Sequence, residues 1–224
     1  MPRNLTATLS SWLHQTQTRI GQITISRPND SPSAFELRHC DDLHSNPALL
    51  ETHTDPESAR TLSSLDQSGE YRPLKTAPNL RKGWRLLLPS PEALRIALDH
   101  FYPAMTALFA SQNNRSLTPV PLRDTLNRQT GMYAATKRLT ESEAYVLVCT
   151  ACHDSNCLKK VLWTLDGTNE FLGLPPDQRT FAANEHPNEI PLLCHEACNI
   201  LVAKAREVVK KRERAAAALE QTSP

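Results

Sequence analysis

Glycine is scarce in this chain, with six residues against seventeen prolines, and aromatic residues make up only 5% of the total. The shortage of glycine argues against glycine-rich repeats, and no internal repeat is found. The prolines point instead to stiff, extended connections. So few aromatics imply a modest core, within the balance of 39% hydrophobic and 22% charged residues that suits a globular protein. Net charge is also lacking. At +1 there is no global pull toward nucleic acid or a membrane surface.

Long apolar runs are missing too. Tyr145–Cys149 and Ile200–Ala203 span only a few residues each, far short of the ~20 that cross a bilayer. The start, Met1-Pro-Arg-Asn-Leu-Thr, lacks the apolar core of a signal peptide. The expectation is a cytoplasmic protein without a membrane partner, in which Asn114-Arg-Ser is only a loop. No nucleophile elbow, Walker loop, dinucleotide fingerprint or HExxH motif occurs. No catalytic residue is named, and the chain reads as a binding protein rather than an enzyme by itself.

What is present is cysteine, unevenly placed. Cys40 stands alone, while Cys149, Cys152, Cys157, Cys194 and Cys198 crowd into the C-terminal half. Cytoplasmic thiols are kept reduced, so such a group needs a reason other than disulfides.

The flanking pattern predicts mostly helix with a few short strands. Leu5, Leu9, Trp12 and Leu13 fall at helical spacing. Ile20–Ser26 alternates as a strand, with Phe35–His39 as its partner. Asp55-Pro56 starts a helix through Ala59, Leu62 and Leu65, and Ser68-Gly69 marks a break. Trp84–Leu88 is a strand candidate. Ser90-Pro91 opens a helix carrying Leu94, Ile96, Ala97 and Phe101, followed by Pro103–Ala110 and Pro121–Arg128. Thr140 with Glu143 is a capping box, yet Tyr145-Val-Leu-Val favours strand, and the sequence does not resolve that conflict. Cys157–Leu165 is predicted helical, stopped by Gly167. The last helix is predicted from Cys194 past Val209, and Lys210–Arg214 with the following alanines reads as its solvated extension. The expected division is an N-terminal α/β region at 1–69, a mainly helical metal-binding domain at 70–210 and a tail at 211–224.

The cysteine spacing is Cys149-x2-Cys152-x4-Cys157, then Cys194-x3-Cys198. Four thiolates complete a tetrahedral zinc or hold a [4Fe–4S] cubane, and spacing alone does not choose. If Cys194 and Cys198 shared a helix, their Cβ atoms would lie about 5–6 Å apart. That suits separate corners of a cubane better than one zinc with bonds of about 2.3 Å. The helix start would also favour an anionic cluster. Cys149 ends an apolar run, where a free cysteine commonly acts as a small buried hydrophobe. Cys152, Cys157, Cys194 and Cys198 are therefore the candidate ligands, with Cys149 in reserve.

Cys152-His-Asp-Ser-Asn-Cys157-Leu-Lys-Lys-Val-Leu-Trp163 and Pro191-Leu-Leu-Cys194-His-Glu-Ala-Cys198-Asn-Ile-Leu-Val resemble the iron–sulfur domain appended to some CbiX-type sirohydrochlorin cobaltochelatases. Arg81-Lys-Gly-Trp84 and Arg128-Gln-Thr-Gly-Met-Tyr133 look like the same domain. The resemblance, over roughly residues 70–210, implies a [4Fe–4S] cluster on those four cysteines. Nothing at the N-terminus resembles the chelatase domain, so chelatase activity is not carried over.

His153 and His195 each follow a candidate ligand and read mainly as solvent-facing neighbours. Lys159 and Lys160 could offset cluster charge or simply form an exposed face. Trp84 and Trp163 read as core or cluster-shielding residues. His39-Cys40-Asp-Asp-x-His44 has ligand chemistry but no second half nearby. Two functions follow. One is a redox or electron-transfer protein, accessory to tetrapyrrole metabolism, with a redox or biosynthetic protein partner. The other is an interaction module stabilised by zinc or a cluster, without catalysis. Nucleic-acid binding through the basic C-terminus is the weakest reading.

Overall fold

A computed structural model describes residues 6, 9, 13, 17–28, 31–64, 80–113, 120–153, 159–161, 163–164, 189–190, 192–194 and 196–222. The chain divides into two compact units, one of residues 1–117 and 182–193, the other of 118–181 and 194–224.

The first unit is built on a mixed sheet. Its strands are β1 (Gln17–Ile20), β2 (Ile23–Ser26), β3 (Phe35–His39), β4 (Glu51–His53) and β5 (Trp84–Leu88), with Glu189–Ile190 added on the far edge. The order is β4-β5-β3-β2-β1 and then Glu189–Ile190. The two edge pairings are parallel and the inner ones antiparallel. β2 and β3 pair as the sequence alternation led one to expect.

Ile20–Ser26, however, is not one strand. The chain reverses at Gly21, whose φ of +55° is open to glycine at little cost. A Cβ there would lie 2.7 Å from Tyr102 Oη and from Leu192 Cδ1. The same Tyr102 hydroxyl accepts the Gln22 N–H at 3.0 Å.

Alternation along β3 and β5 sends Phe35, Leu37, Trp84, Leu86 and Leu88 into the core. Helix Pro91–Phe101 presents Ala93, Leu94, Ala97, Leu98 and Phe101 to it. Ser90 caps this helix, its side chain accepting the Ala93 N–H at 3.2 Å. Trp84 stacks on Phe101 with centroids 5.3 Å apart. Leu9 and Leu13 join this core, while Leu5 and Trp12 lie outside the described residues. Helix Ser58–Leu62 follows Asp55, whose Oδ1 accepts the Glu57 N–H. Leu65 and the break at Ser68-Gly69 lie outside the described residues, as does Asn114.

The boundary expected at residue 69 is not where the chain divides. β5 pairs with both β3 and β4, so strand pairing ties the segment after residue 80 into the N-terminal sheet.

The second unit is mainly helical. Its helices are Leu122–Asn127, Glu141–Val148 and Asn199–Thr222, with a 3-10 segment at Gly131–Arg138. The capping box decides the conflict at Tyr145-Val-Leu-Val in favour of helix. Thr140 Oγ1 accepts the Glu143 N–H at 3.2 Å, and Glu143 Oε2 accepts the Thr140 N–H at 2.8 Å. Helix Asn199–Thr222 runs on through the charged and alanine-rich extension as expected. No helix among the described residues is long and apolar enough to cross a membrane.

Two expected helices need correction. Within Cys157–Leu165, the described parts are strands, Lys159–Val161 and Trp163–Thr164. Trp163 pairs with Val120 and is fully buried, its Nε1 donating to Thr125 Oγ1 at 3.0 Å. Pairing and burial of one large ring thus override the helical spacing of the leucines around it. The last helix begins at Asn199, not Cys194, because Leu192, Leu193 and Cys194 are all buried in a short strand.

Candidate metal centre

Helix Glu141–Val148 carries the chain to the first cysteines. At its end the backbone widens into a π turn over Cys149–His153. Thr150, inside that turn, bonds back to the Val146 carbonyl at 3.0 Å and the Leu147 carbonyl at 3.3 Å. Single π turns of this kind recur at functional sites. They shift the side chains that follow relative to an ideal helix, and here the first and fourth positions are Cys149 and Cys152.

The second pair sits where a strand gives way to a helix. Cys194 is buried at the end of Leu192–Cys194, with its sulfur 3.9 Å from the Glu196 carbonyl. Cys198 stands immediately before the last helix, and its carbonyl accepts the first helical bond, from the Val202 N–H at 2.9 Å. The two cysteines are therefore not one turn apart on a helix, and the Cβ separation argued from that arrangement does not apply. The dipole argument holds for Cys198 alone, since it caps a 24-residue helix.

The C-terminal hydrophobic core gives one cysteine of each pair a common support. Leu147, Val148, Ala151, Trp163, Leu201, Ala205 and Val209 form it with others, and Cys152, Ala197 and Cys198 pack against it half-buried. The π turn and the start of the last helix thus share one apolar support. Cys149 is also half-buried but is absent from that packed set. Cys157 and His195 lie outside the described residues.

Among the described residues, no three of these cysteines bring their sulfurs within 4.8 Å of one another. A single tetrahedral ion would need them that close. A cubane, with one thiolate per corner, accepts a wider set. Asn199, next to Cys198, has a buried side-chain oxygen without a partner among the described residues. That oxygen only accepts hydrogen bonds, as cluster sulfur does, so it takes no part in the fit. The soft thiolate donors themselves fit an iron–sulfur cluster.

The other histidine–cysteine group is in the first unit. His39, Cys40 and Asp41 hold ligand atoms within 4.8 Å of one another, and His44 is not among them. Two of their polar groups are already engaged, while His39 Nε2 is buried without a partner among the described residues. His39 Nδ1 accepts the Asp41 N–H at 3.1 Å, and Lys82 Nζ lies 2.6 Å from Asp41 Oδ2. Burial lowers the His39 pKa and raises that of the Cys40 thiol, which disfavours the thiolate a metal needs. Trp84 belongs to the N-terminal core and Trp163 to the C-terminal one, the core against which Cys152 and Cys198 pack. Sequence reasoning missed the π turn. The only signal for it was the clash of helix and strand preferences before Cys149.

Comparison with known proteins divides the chain in nearly the same place as its own contacts do. Residues 6–112 match the family model of the DR2241 stabilising domain, and residues 114–207 that of the 4Fe-4S iron-sulfur cluster binding domain. The chain is similar to the crystal structure of DR2241 from Deinococcus radiodurans, with a TM-score of 0.69 and 29% identity over 93% of this chain. That protein is described as multi-domain, with structural similarity to chelatases and two additional novel domains. The present chain spans 42% of its length. No curated protein matches the chain. The chain therefore carries a 4Fe-4S iron–sulfur cluster binding domain over residues 114–207, and its cofactor is the [4Fe–4S] cluster to which the cysteines pointed.

Proposed function

We propose that Cys152, Cys157, Cys194 and Cys198 hold the cluster, and that the chain serves as an electron-transfer accessory to a chelatase-like protein of tetrapyrrole metabolism. The observation that supports Cys152 and Cys198 is their shared packing on one core, while Cys157 and Cys194 rest on the cysteine spacing and the resemblance. The partner reading rests on the longer, chelatase-like protein of which this chain spans less than half. When bound, the cluster supplies a one-electron couple whose potential depends on burial and on hydrogen bonds to sulfur. The chain's own part is to fix the thiolates, to keep water away with Trp163 and Leu147, and to set the positive end of the last helix beside an anionic group.

The test is anaerobic purification followed by a visible spectrum, iron and sulfide analysis, and reduction by dithionite. Iron and sulfide should be near equal, and the spectrum should bleach and recover. Replacing Cys152, Cys157, Cys194 or Cys198 by Ala should each empty or cripple the site. Cys149→Ala and Cys40→Ala should leave it largely intact. If Cys149→Ala empties it while one of the four proves dispensable, the ligand assignment falls.

A structural module without electron transfer is the second reading. The position of Cys152, Cys194 and Cys198 at junctions between elements favours it. A cluster that dithionite cannot reduce would select it.

A further inference from the structure

The face of the N-terminal sheet turned away from its core carries a feature that cluster binding leaves unused. Arg38 and Arg85 are direct cross-strand partners in the β3–β5 pairing. Like charges placed directly opposite one another destabilise a sheet. Only one of the two is neutralised. Glu36 takes Arg38, with Nη2 2.6 Å and Nε 2.8 Å from its Oε1, and the remaining Arg38 nitrogen Nη1 reaches the Ser45 carbonyl at 3.3 Å. Arg85 uses Nε alone, donating to Thr52 Oγ1 at 2.8 Å. Its terminal nitrogens have no partner among the described residues.

That guanidinium lines a cavity of about 630 Å³ within the first unit. That volume is within the range of small-molecule pockets, and the cavity is an open groove with Arg85 toward its exposed side. Leu87, Pro47 and Pro89 supply apolar wall, while Glu36 and Arg38 face in as an already satisfied pair. The cavity therefore offers one unmatched cation and an otherwise largely apolar surround. The two terminal N–H edges of Arg85 suit the two oxygens of a carboxylate, a geometry a lysine could not supply.

We propose that this cavity binds an organic carboxylate with an apolar body, its carboxylate on Arg85 and its body against Leu87 and the prolines. Its residues all lie in the first unit, while the five cysteines from Cys149 to Cys198 lie in the second.

The test uses the full, cluster-loaded chain, isotope-labelled, and follows the arginine Nε–H signals by NMR. The probes are naphthoate, naphthylmethanol, acetate and inorganic phosphate. Naphthoate should shift the Arg85 and Arg38 signals saturably, and the other three should bind at least tenfold more weakly. Arg85→Gln should weaken naphthoate at least tenfold, Arg85→Lys less, and neither should change the visible spectrum of the cluster. Equal binding of the alcohol would show a merely greasy groove. Equal binding of acetate or phosphate would show unspecific charge attraction. Either result overturns the proposal, as does unchanged naphthoate affinity in a folded Arg85→Gln. The probe panel on the unaltered chain decides the matter even if a variant does not fold.

Discussion

The N-terminal core is filled by Trp84, Phe35, Phe101, Tyr102 and a set of leucines and isoleucines drawn from the sheet and the helices on it. Among the described residues, the C-terminal core has one fully buried large ring, Trp163, with Tyr145 packed against it and Ala144, Ala151 and Ala205 beside its leucines and valines. Full burial of a large apolar side chain contributes about 1.5–3 kcal/mol, and an alanine much less. Ordering the backbone costs about 1–2 kcal/mol per residue in both units alike. The second unit gathers the cysteines. Metal binding that favours only the folded arrangement adds its free energy to folding, so ligation is expected to contribute more to the second unit than to the first.

The largest expected effect follows directly. Stripping the cluster should abolish hydrogen-exchange protection across residues 149–181 and 194–209 and leave β1–β5, with Glu189–Ile190 on their edge, nearly unchanged. Exchange measured on holo and apo samples checks it. Equal protection of those two stretches in both would mean that Leu147, Trp163, Leu201 and Val209 hold the unit unaided, and that the cluster is cargo.

A smaller effect should strike the other unit alone. Gly21→Ala places a Cβ at positive φ and within 2.7 Å of Tyr102 and Leu192. The left-handed backbone alone costs a non-glycine residue about 1–3 kcal/mol, and Tyr102 would have to give up its bond from Gln22. Denaturant unfolding followed through Trp84 should show the loss, while iron content and the cluster spectrum stay as they were. Loss of the cluster in this variant would show that the units are not energetically separate.

Where the sequence was legible, one local signal agreed with the tertiary environment. Ser90-Pro91 before a helical stripe, Thr140 with Glu143, and the alternation of Phe35–His39 each named an element that forms. The cysteine cluster named a metal centre, since thiolate chemistry does not depend on which element carries it, and the choice of a [4Fe–4S] cluster over zinc rested on the resemblance. What was not legible depended on long-range partners. Nothing local says that Trp163 will pair beside Val120 and turn a leucine-spaced stretch into strand. Nor does anything local show that Leu192–Cys194 will be buried as a strand, which delays the last helix to Asn199. Trp84–Leu88 was recognised as a strand, but its place between β3 and β4 moved the division of the chain well past residue 69. Gly21 could have been read as a turn, had the even spacing of isoleucines around it not suggested a continuous strand.

The smallest effect tests how much of the C-terminal unit stands on a cap rather than on the cluster. The Glu143 pKa lies below the ordinary 4.5, first because its carboxylate accepts the Thr140 N–H and then because Arg212 pairs with it. Arg212 also donates to the Arg138 carbonyl at 2.7 Å, so the carboxylate links the helix that leads to Cys149 with the last helix. Because the folded pKa is depressed, the stabilisation is fully present above 4.5 and is lost as pH falls through the lower, folded value. Glu143→Ala should cost about 0.5–1 kcal/mol at neutral pH, the scale of a helix cap at the surface. Glu143→Gln keeps an acceptor for Thr140 and should cost less. The stability difference between the unaltered chain and Glu143→Gln should stay constant from pH 7 down to about 5 and shrink only below the ordinary carboxylate value. Chemical denaturation across that range, which spares the acid-labile cluster, checks the sign. A difference already shrinking above pH 5 would mean that the carboxylate is destabilised in the folded state, and that the link between the two helices is weaker than its geometry indicates.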